Sequence, residues 1–185
     1  MVLGFFSPFI FIMMLENMIT FYRNSGFSVT EISATSFLAK KTGSNFIFLK
    51  YTDYYFVTLE ENLSIEKINK CHKKSKENAN KDFKLPKALR FSVPNINSVF
   101  ITENNISKEV ISCVRKRNID IVGGQQESIF ILDKSNYQLH SAGKELSHVS
   151  GRAKLIWGNK KEFTSLNGRN RSFYLMDKLT QEIFS

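Results

Sequence analysis

Asp53, Glu60 and the lysines that follow them are the residues whose types could build a hydrolytic centre in this chain. Paired carboxylates hold a hard divalent cation, and a nearby amine can position the attacking water. The two acids fall within "SNFIFLKYTDYYFVTLEEN", residues 44–62. Two apolar runs, Phe46–Leu49 and Tyr55–Leu59, flank a polar Lys50–Asp53 connection, and this pattern predicts a β-hairpin. In that hairpin Asp53 lies in the turn, and Glu60 with Glu61 ends the second strand. A strand of this length spans roughly 20 Å, so the two acids stand at opposite ends and do not share one cation. Lys67 and Lys70 on the following helix could stand in for a catalytic lysine, but without paired acids.

Lysine supplies a second kind of chemistry. Residues 67–90 hold Lys67, Lys70, Lys73, Lys74, Lys76, Lys81, Lys84, Lys87 and Arg90 against Glu77 and Asp82. Nine basic residues against two acidic ones leave +7, most of the chain's net +9. Lysines neutralise phosphates without reading base sequence, so the run points to salt-dependent nucleic-acid binding, with His72 as an added contact. A solvated helix face fits the same run. Arg115, Lys116 and Arg117 form a second basic group at a predicted helix end, where they also complement the helix dipole. Arg169 and Arg171 in the Gly/Asn-rich "NGRNRS", read as a loop, form a third that could contact phosphate. The predicted contacts are therefore Lys67, Lys70, Lys73, Lys74, Lys76, Lys81, Lys84, Arg115, Lys116, Arg117, Arg169 and Arg171.

Other constellations carry less. "GGQQE", residues 123–127, lacks both the GxGxxG spacing and a Walker lysine, and reads as a turn between strands. His140 and His148 have only Glu145 between them as a further ligand, so no metal site is expected. Ser141 and Ser147 lie near histidines, but no G-x-S-x-G elbow accompanies them. Trp157 reads as a core or capping aromatic.

The elements that must position these residues follow from periodicity. Leu15, Met18, Ile19 and Tyr22 predict a helix over residues 14–25, closed by Gly26. "FSVTEISAT" alternates as a strand, and Thr42–Gly43–Ser44 reads as a turn. After the hairpin, Asn62 or Ser64 caps a helix with Leu63, Ile68, Cys71 and Ala79 toward one side, closed by Pro86. A strand at 97–103, a helix after Ser107, and strands "IDIV", "SIFILDK" and "KLIWG" follow, then a final helix in "RSFYLMDKLTQEIF". The expected fold is α/β (α+β), a mixed central sheet flanked by helices. Strands are expected near 27–33, 45–50, 54–60 and 97–102. Residues 1–13 read as an apolar N-terminal extension that Pro8 keeps from being helical, 14–134 as the core, and 135–185 as a C-terminal strand and helix extension.

The order α–β–β–β–α–β, with "GFSVTEIS" and "SNFIFLK", resembles the restriction-endonuclease-like fold of the PD-(D/E)XK nuclease superfamily over residues 14–134. The phrases look like that superfamily's "G-[YF]-x-V" and "PDFIV" stretches. The resemblance implies an Asp opening the second strand and a Glu-x-Lys on the third, together binding a divalent cation, usually Mg²⁺. Here Ser44–Asn45 stands at the first position and Val57–Thr58–Leu59 at the second. A one-residue slip gives Thr58–Leu59–Glu60, with one acid and no lysine. Asn45, Asp53 and Glu60 remain the catalytic candidates, on a nuclease-like scaffold that has lost its catalytic set. Mg²⁺ is implied only if migrated residues keep the site active; otherwise no cofactor is expected.

Bulk composition bounds the rest. An apolar content of 42% supports an ordered core, and a pI near 9.5 favours anionic partners. The apolar stretch at residues 2–15 is shorter than the ~20 residues that span a bilayer, so no membrane span is expected. Cys71 and Cys113 form no CxxC pair and suit a reducing cytoplasm. Two functions are expected from these features. One is a nucleic-acid-binding protein, DNA before RNA, of restriction, repair or mobile-element systems. The other is a protein-interaction module, an inhibitor or assembly subunit, that docks or dimerises through its apolar N-terminus.

Overall fold

The buried stripe Leu15, Met18, Ile19 and Tyr22 lies on a helix that begins well before the residues that mark it. The computed structural model describes residues 8–46, 49–83, 92–115, 119–121, 125–142 and 168–184. In chain order these form α1 (Pro8–Asn24), β1 (Ser28–Ser33), β2 (Ser36–Phe46), β3 (Leu49–Leu59), α2 (Ile65–Lys81), β4 (Ser92–Thr102), α3 (Lys108–Arg115), β5 (Ile119–Ile121), β6 (Gln125–Asp133), β7 (Gln138–His140) and α4 (Gly168–Phe184).

The sheet has seven strands in the order β1-β2-β3-β4-β6-β5, and β7 also pairs with β6. β1, β2 and β3 form an antiparallel meander. β3, β4 and β6 are mutually parallel, joined by crossovers that contain α2 and α3. The fold is thus the mixed sheet with flanking helices that the sequence predicts.

Alternation along the strands gives the sheet two apolar faces. Phe37, Ala39, Tyr55, Val57, Val99, Ile101, Phe130 and Leu132 pack beneath α1 and α4. Phe100, Ile129 and Ile131 meet Ile68 of α2 and Val110 and Val114 of α3 on the other face. Tyr22 centres the first core, with ring centroids of Phe21, Phe27, Phe37 and Tyr55 between 5.3 and 5.6 Å away. Burial, then the neighbouring Tyr55, raises its phenol well above the ordinary range.

Several boundaries differ from the expectation, each for a physical reason. Pro8 opens α1 instead of interrupting it, because a first-turn proline lacks only an N–H that has no intrahelical partner. The helix therefore crosses the boundary read at residue 13. Gly26 ends α1 as predicted, at φ +81°, with the Phe27 N–H bonded to the Tyr22 carbonyl at 3.0 Å.

The hairpin turn is displaced. Lys50–Asp53 lies within β3, paired with Ser44 through Lys41, and the reversal falls between Phe46 and Leu49. Thr42–Gly43–Ser44 is strand, not turn. Gly43 faces Tyr51, and a Cβ there would come within 2.4 Å of the Tyr51 hydroxyl. Its small size serves cross-strand packing. Likewise Gln125–Glu127 of the "GGQQE" stretch belongs to β6, while "KLIWG", Trp157, Glu145, Ser147 and His148 lie outside the described residues.

Candidate nucleic-acid interface

Ser64 starts α2 by accepting a hydrogen bond from the Lys67 N–H at 3.2 Å. Ile68, His72, Ser75 and Ala79 then turn inward at three- and four-residue steps. The remaining positions face outward, and Lys67, Lys70, Lys73, Lys74 and Lys81 are exposed there. Lys67 is paired with Glu60. Lys81 donates to the Asn78 side chain, and Lys70, Lys73 and Lys74 meet no carboxylate among the described residues. Asp82, one of the two acids of the lysine-rich run, is held by Lys40 at 2.6 Å and by the Tyr54 hydroxyl at 2.9 Å. These partners more than offset the effect of burial and lower its carboxyl. The outer face of α2 is therefore strongly cationic, with Glu66 and Glu77 as its exposed acids.

Besides Lys67, two predicted contacts are already engaged by acids. Lys76 reaches the buried Glu127 at 3.3 Å. Arg171, on α4 and not in a loop, grips Asp53, with Nε to Oδ2 at 3.2 Å and Nη2 to Oδ1 at 2.9 Å. Its guanidinium also lies 3.8 Å from the Tyr51 ring centroid. Arg115 is exposed at the end of α3. Arg169 lies in the first turn of α4, its side chain outside the described residues, as are Lys84, Lys116 and Arg117.

The catalytic candidates do not converge. Asn45 sits in β2 where the register shifts between Ser44 and Phe46, and its side chain is not described. Glu60 lies just past the other end of β3, bound to Lys67. Asp53 is buried between them, inside a strand and not in a turn. Both of its oxygens accept from Arg171, and Oδ1 also accepts from Asn95 Nδ2 at 2.9 Å. A cation at Asp53 would have to displace a guanidinium.

Asp53 belongs to an arrangement that the sequence pattern does not reveal. Lys41, Asp53, Asn95 and Gln126 are register partners on four adjacent strands. Asn95 Nδ2 also donates to the Gly168 carbonyl at 3.0 Å and to Ser172 Oγ at 2.7 Å, and Tyr55 donates to the same Ser172 oxygen. Gly168 is small of necessity, since a Cβ would lie 2.9 Å from Asn95 Cγ and 2.3 Å from Gln126 Oε1. Asn95 and Asp53 of this row seat the first turn of α4 on the sheet, while Lys41 donates to the Ser25 carbonyl past the end of α1.

A second polar centre lies beneath α2. His72 places Nδ1 2.8 Å from Ser98 Oγ and Nε2 3.0 Å from Glu127 Oε2. Hydroxyl, imidazole and carboxylate in that order are the parts of a nucleophile–base pair and its orienting acid. Two facts give them another role. Ser98 donates its proton to Ser75, which donates to the Cys71 carbonyl, so the hydroxyl points away from the base. Ser98, His72 and Glu127 are also only 1%, 4% and 2% exposed, so none meets a substrate. Burial would raise the Glu127 carboxyl, but the His72 hydrogen bond and the Lys76 charge lower it to about 2. His72 thus ties α2 to the sheet, and the expected phosphate contact from this residue is replaced by an internal one. The polar residues Asn95, Ser98 and Glu127 interrupting otherwise apolar strands were the available signal for both centres.

Among the described residues, no group of histidine, cysteine, aspartate and glutamate side chains is arranged to hold a metal ion, and no helix is long and apolar enough to cross a membrane. No protein-family model, curated protein or solved structure matches the chain.

Proposed function

We propose that this protein binds nucleic acid, duplex DNA in preference to RNA, through the outer face of α2, on a nuclease-like scaffold without hydrolytic activity. The observation that carries this reading is the exposure of Lys70, Lys73, Lys74 and Lys81 along one helix face, where they outnumber the exposed Glu66 and Glu77 and form no ion pair among the described residues. Ammonium groups along one helix face contact phosphates regardless of base sequence. The nuclease-like part rests on the element order α–β–β–β–α–β and on the mixed sheet that order forms. The loss of hydrolysis rests on Asp53, closed off by Arg171 and Asn95, and on Glu60, closed off by Lys67. Free Cys71 and Cys113 favour a reducing compartment such as the cytoplasm, and the setting of restriction, repair or mobile-element systems comes with the nuclease resemblance.

A salt series of binding to duplex DNA and to RNA tests the first part. The expected result is a linear fall of log affinity with log salt, steeper for the duplex and indifferent to sequence. No binding at moderate salt overturns it. For the second part, incubation of supercoiled DNA with Mg²⁺ is expected to give no nicking. Nicking that disappears in Glu60→Ala would establish a migrated nuclease site instead.

A second reading has its own observation. Met13 is 52% exposed at the rim of a cavity of about 410 Å³ between α1 and α4, where Met14, Phe21, Leu179 and Ile183 supply apolar walls. A protein-interaction module would use this side of the molecule. A stable complex or homodimer that Met13→Lys abolishes, in a protein that ignores nucleic acid, would favour it.

A further inference from the structure

Lys108, Ile111, Ser112 and Arg115 fall on one face of α3 at three- and four-residue spacings. Val110 and Val114 anchor the opposite face in the core. The first four residues, with Gln138 and His140 of β7, line an open cavity of about 500 Å³. Three features of this cavity point to an anion. Lys108 and Arg115 are exposed, and neither meets a carboxylate among the described residues. Ser112 adds a hydroxyl between them. His140 is only 4% exposed, yet neither of its ring nitrogens makes a hydrogen bond among the described residues.

The surroundings of His140 sharpen the point. Its Nε2 stands 3.6 Å from Asp133 Oδ2, too far for a hydrogen bond but close enough to orient the ring. Asp133 is already satisfied by the Ser135 and Asn136 backbone and side chains, and it does not line the cavity. Among the described residues Nδ1 is also without a partner, in a ring that lines the same cavity as Lys108 and Arg115. A buried polar atom in that position calls for a ligand.

We propose that the α3–β7 cavity binds a phosphate-class oxyanion, either inorganic phosphate or a terminal phosphate monoester. An ammonium, a forked guanidinium, a hydroxyl and an imidazole offer donors in several directions, which matches a tetrahedral dianion better than a planar carboxylate. The cavity exceeds the size of a bare phosphate, so an ester substituent fits beside it, with Ile111 as an apolar wall. This site is separate from the outer face of α2 and does not depend on the nucleic-acid reading.

The test titrates inorganic phosphate into the full chain at constant ionic strength and follows the histidine ring signals by NMR. The expected result is a saturable shift of one signal, identified as His140 by its loss in His140→Gln, with His72 unmoved. Lys108→Gln combined with Arg115→Gln, both at exposed positions, should weaken binding at least about tenfold. Lys73→Gln combined with Lys74→Gln should leave it unchanged. An unmoved His140 signal, or equal weakening by both pairs, overturns the proposal. A 5′-phosphorylated and a 5′-hydroxyl oligonucleotide of one sequence then separate the sources. A preference for the phosphorylated strand that vanishes in the Lys108/Arg115 variant assigns the site to a nucleic-acid end, and no preference assigns it to a free phosphate.

Discussion

Arg171 and Lys73 are both cations on helices packed against the same sheet, but on opposite faces and with opposite fates. Arg171 turns in toward Asp53 and lies over Tyr51, so its charge is spent within the fold. Lys73 turns out from α2 and forms no ion pair among the described residues. Under α4, Asp53 and Asn95 of the polar row seat a helix start. Under α2 the His72–Glu127 contact does the seating, which frees the outer lysines from any structural duty. Charge alone therefore does not mark a candidate binding face. The proposed face is set apart by charge that the fold does not use.

Four perturbations probe this contrast. The largest effect on stability belongs to Asp53→Ala, which strips Arg171 and Asn95 of their shared partner. Removing one member of a buried pair costs about 3–5 kcal/mol, and urea unfolding measures it. A loss below about 1 kcal/mol would mean that the row is not what holds α4.

Acid comes next, on the other face. The folded Glu127 carboxyl sits at about 2, below its ordinary 4.5. Its contribution is complete above pH 4.5 and is lost as pH falls toward 2. That contribution is on the order of 3 kcal/mol. Glu127→Gln should remove this part of the acid sensitivity, leaving the smaller parts from Asp82 and Asp133, whose carboxyls are also lowered. Unfolding curves of parent and variant from pH 6 to 2 should therefore converge as the pH falls.

Gly43→Ala tests the cross-strand packing that conceals the hairpin turn. The new methyl must push the Tyr51 ring away, and with it the surface on which Arg171 rests. A cost of about 1–2 kcal/mol in thermal unfolding is expected, as for moderate overpacking. No change would mean that Tyr51 swings aside freely.

The smallest effect on stability per residue is expected where the effect on binding is greatest. Reversing Lys70, Lys73, Lys74 and Lys81 to glutamate should alter stability by at most about 0.5 kcal/mol at each site, because none is buried. The same variant should weaken binding to any duplex and flatten the salt slope by about one unit for each phosphate that is no longer neutralised. Unchanged binding would return the α2 face to plain solvation. A large drop in stability would show that the face carries structural duty after all.

Much of the fold was legible in the chain because its signals are local. The three- and four-residue apolar steps of α1, α2, α3 and α4, the Ser64 and Ser107 caps and the Gly26 stop each depend on a few neighbours. So does the concentration of positive charge in α2, which is a property of composition alone. The hairpin turn was misplaced because Gly43 and Lys50 look like turn residues until the strand opposite them is known. The fate of individual charges was hidden for the same reason on a larger scale. Arg171 meets Asp53 across 118 positions, and His72 meets Glu127 across 55. The order of residues sets which of them carry charge and which elements they ride on. Only strand register and helix docking decide which charges are buried against a partner and which are left to solvent, because those pairings are set by burial between segments far apart in the chain.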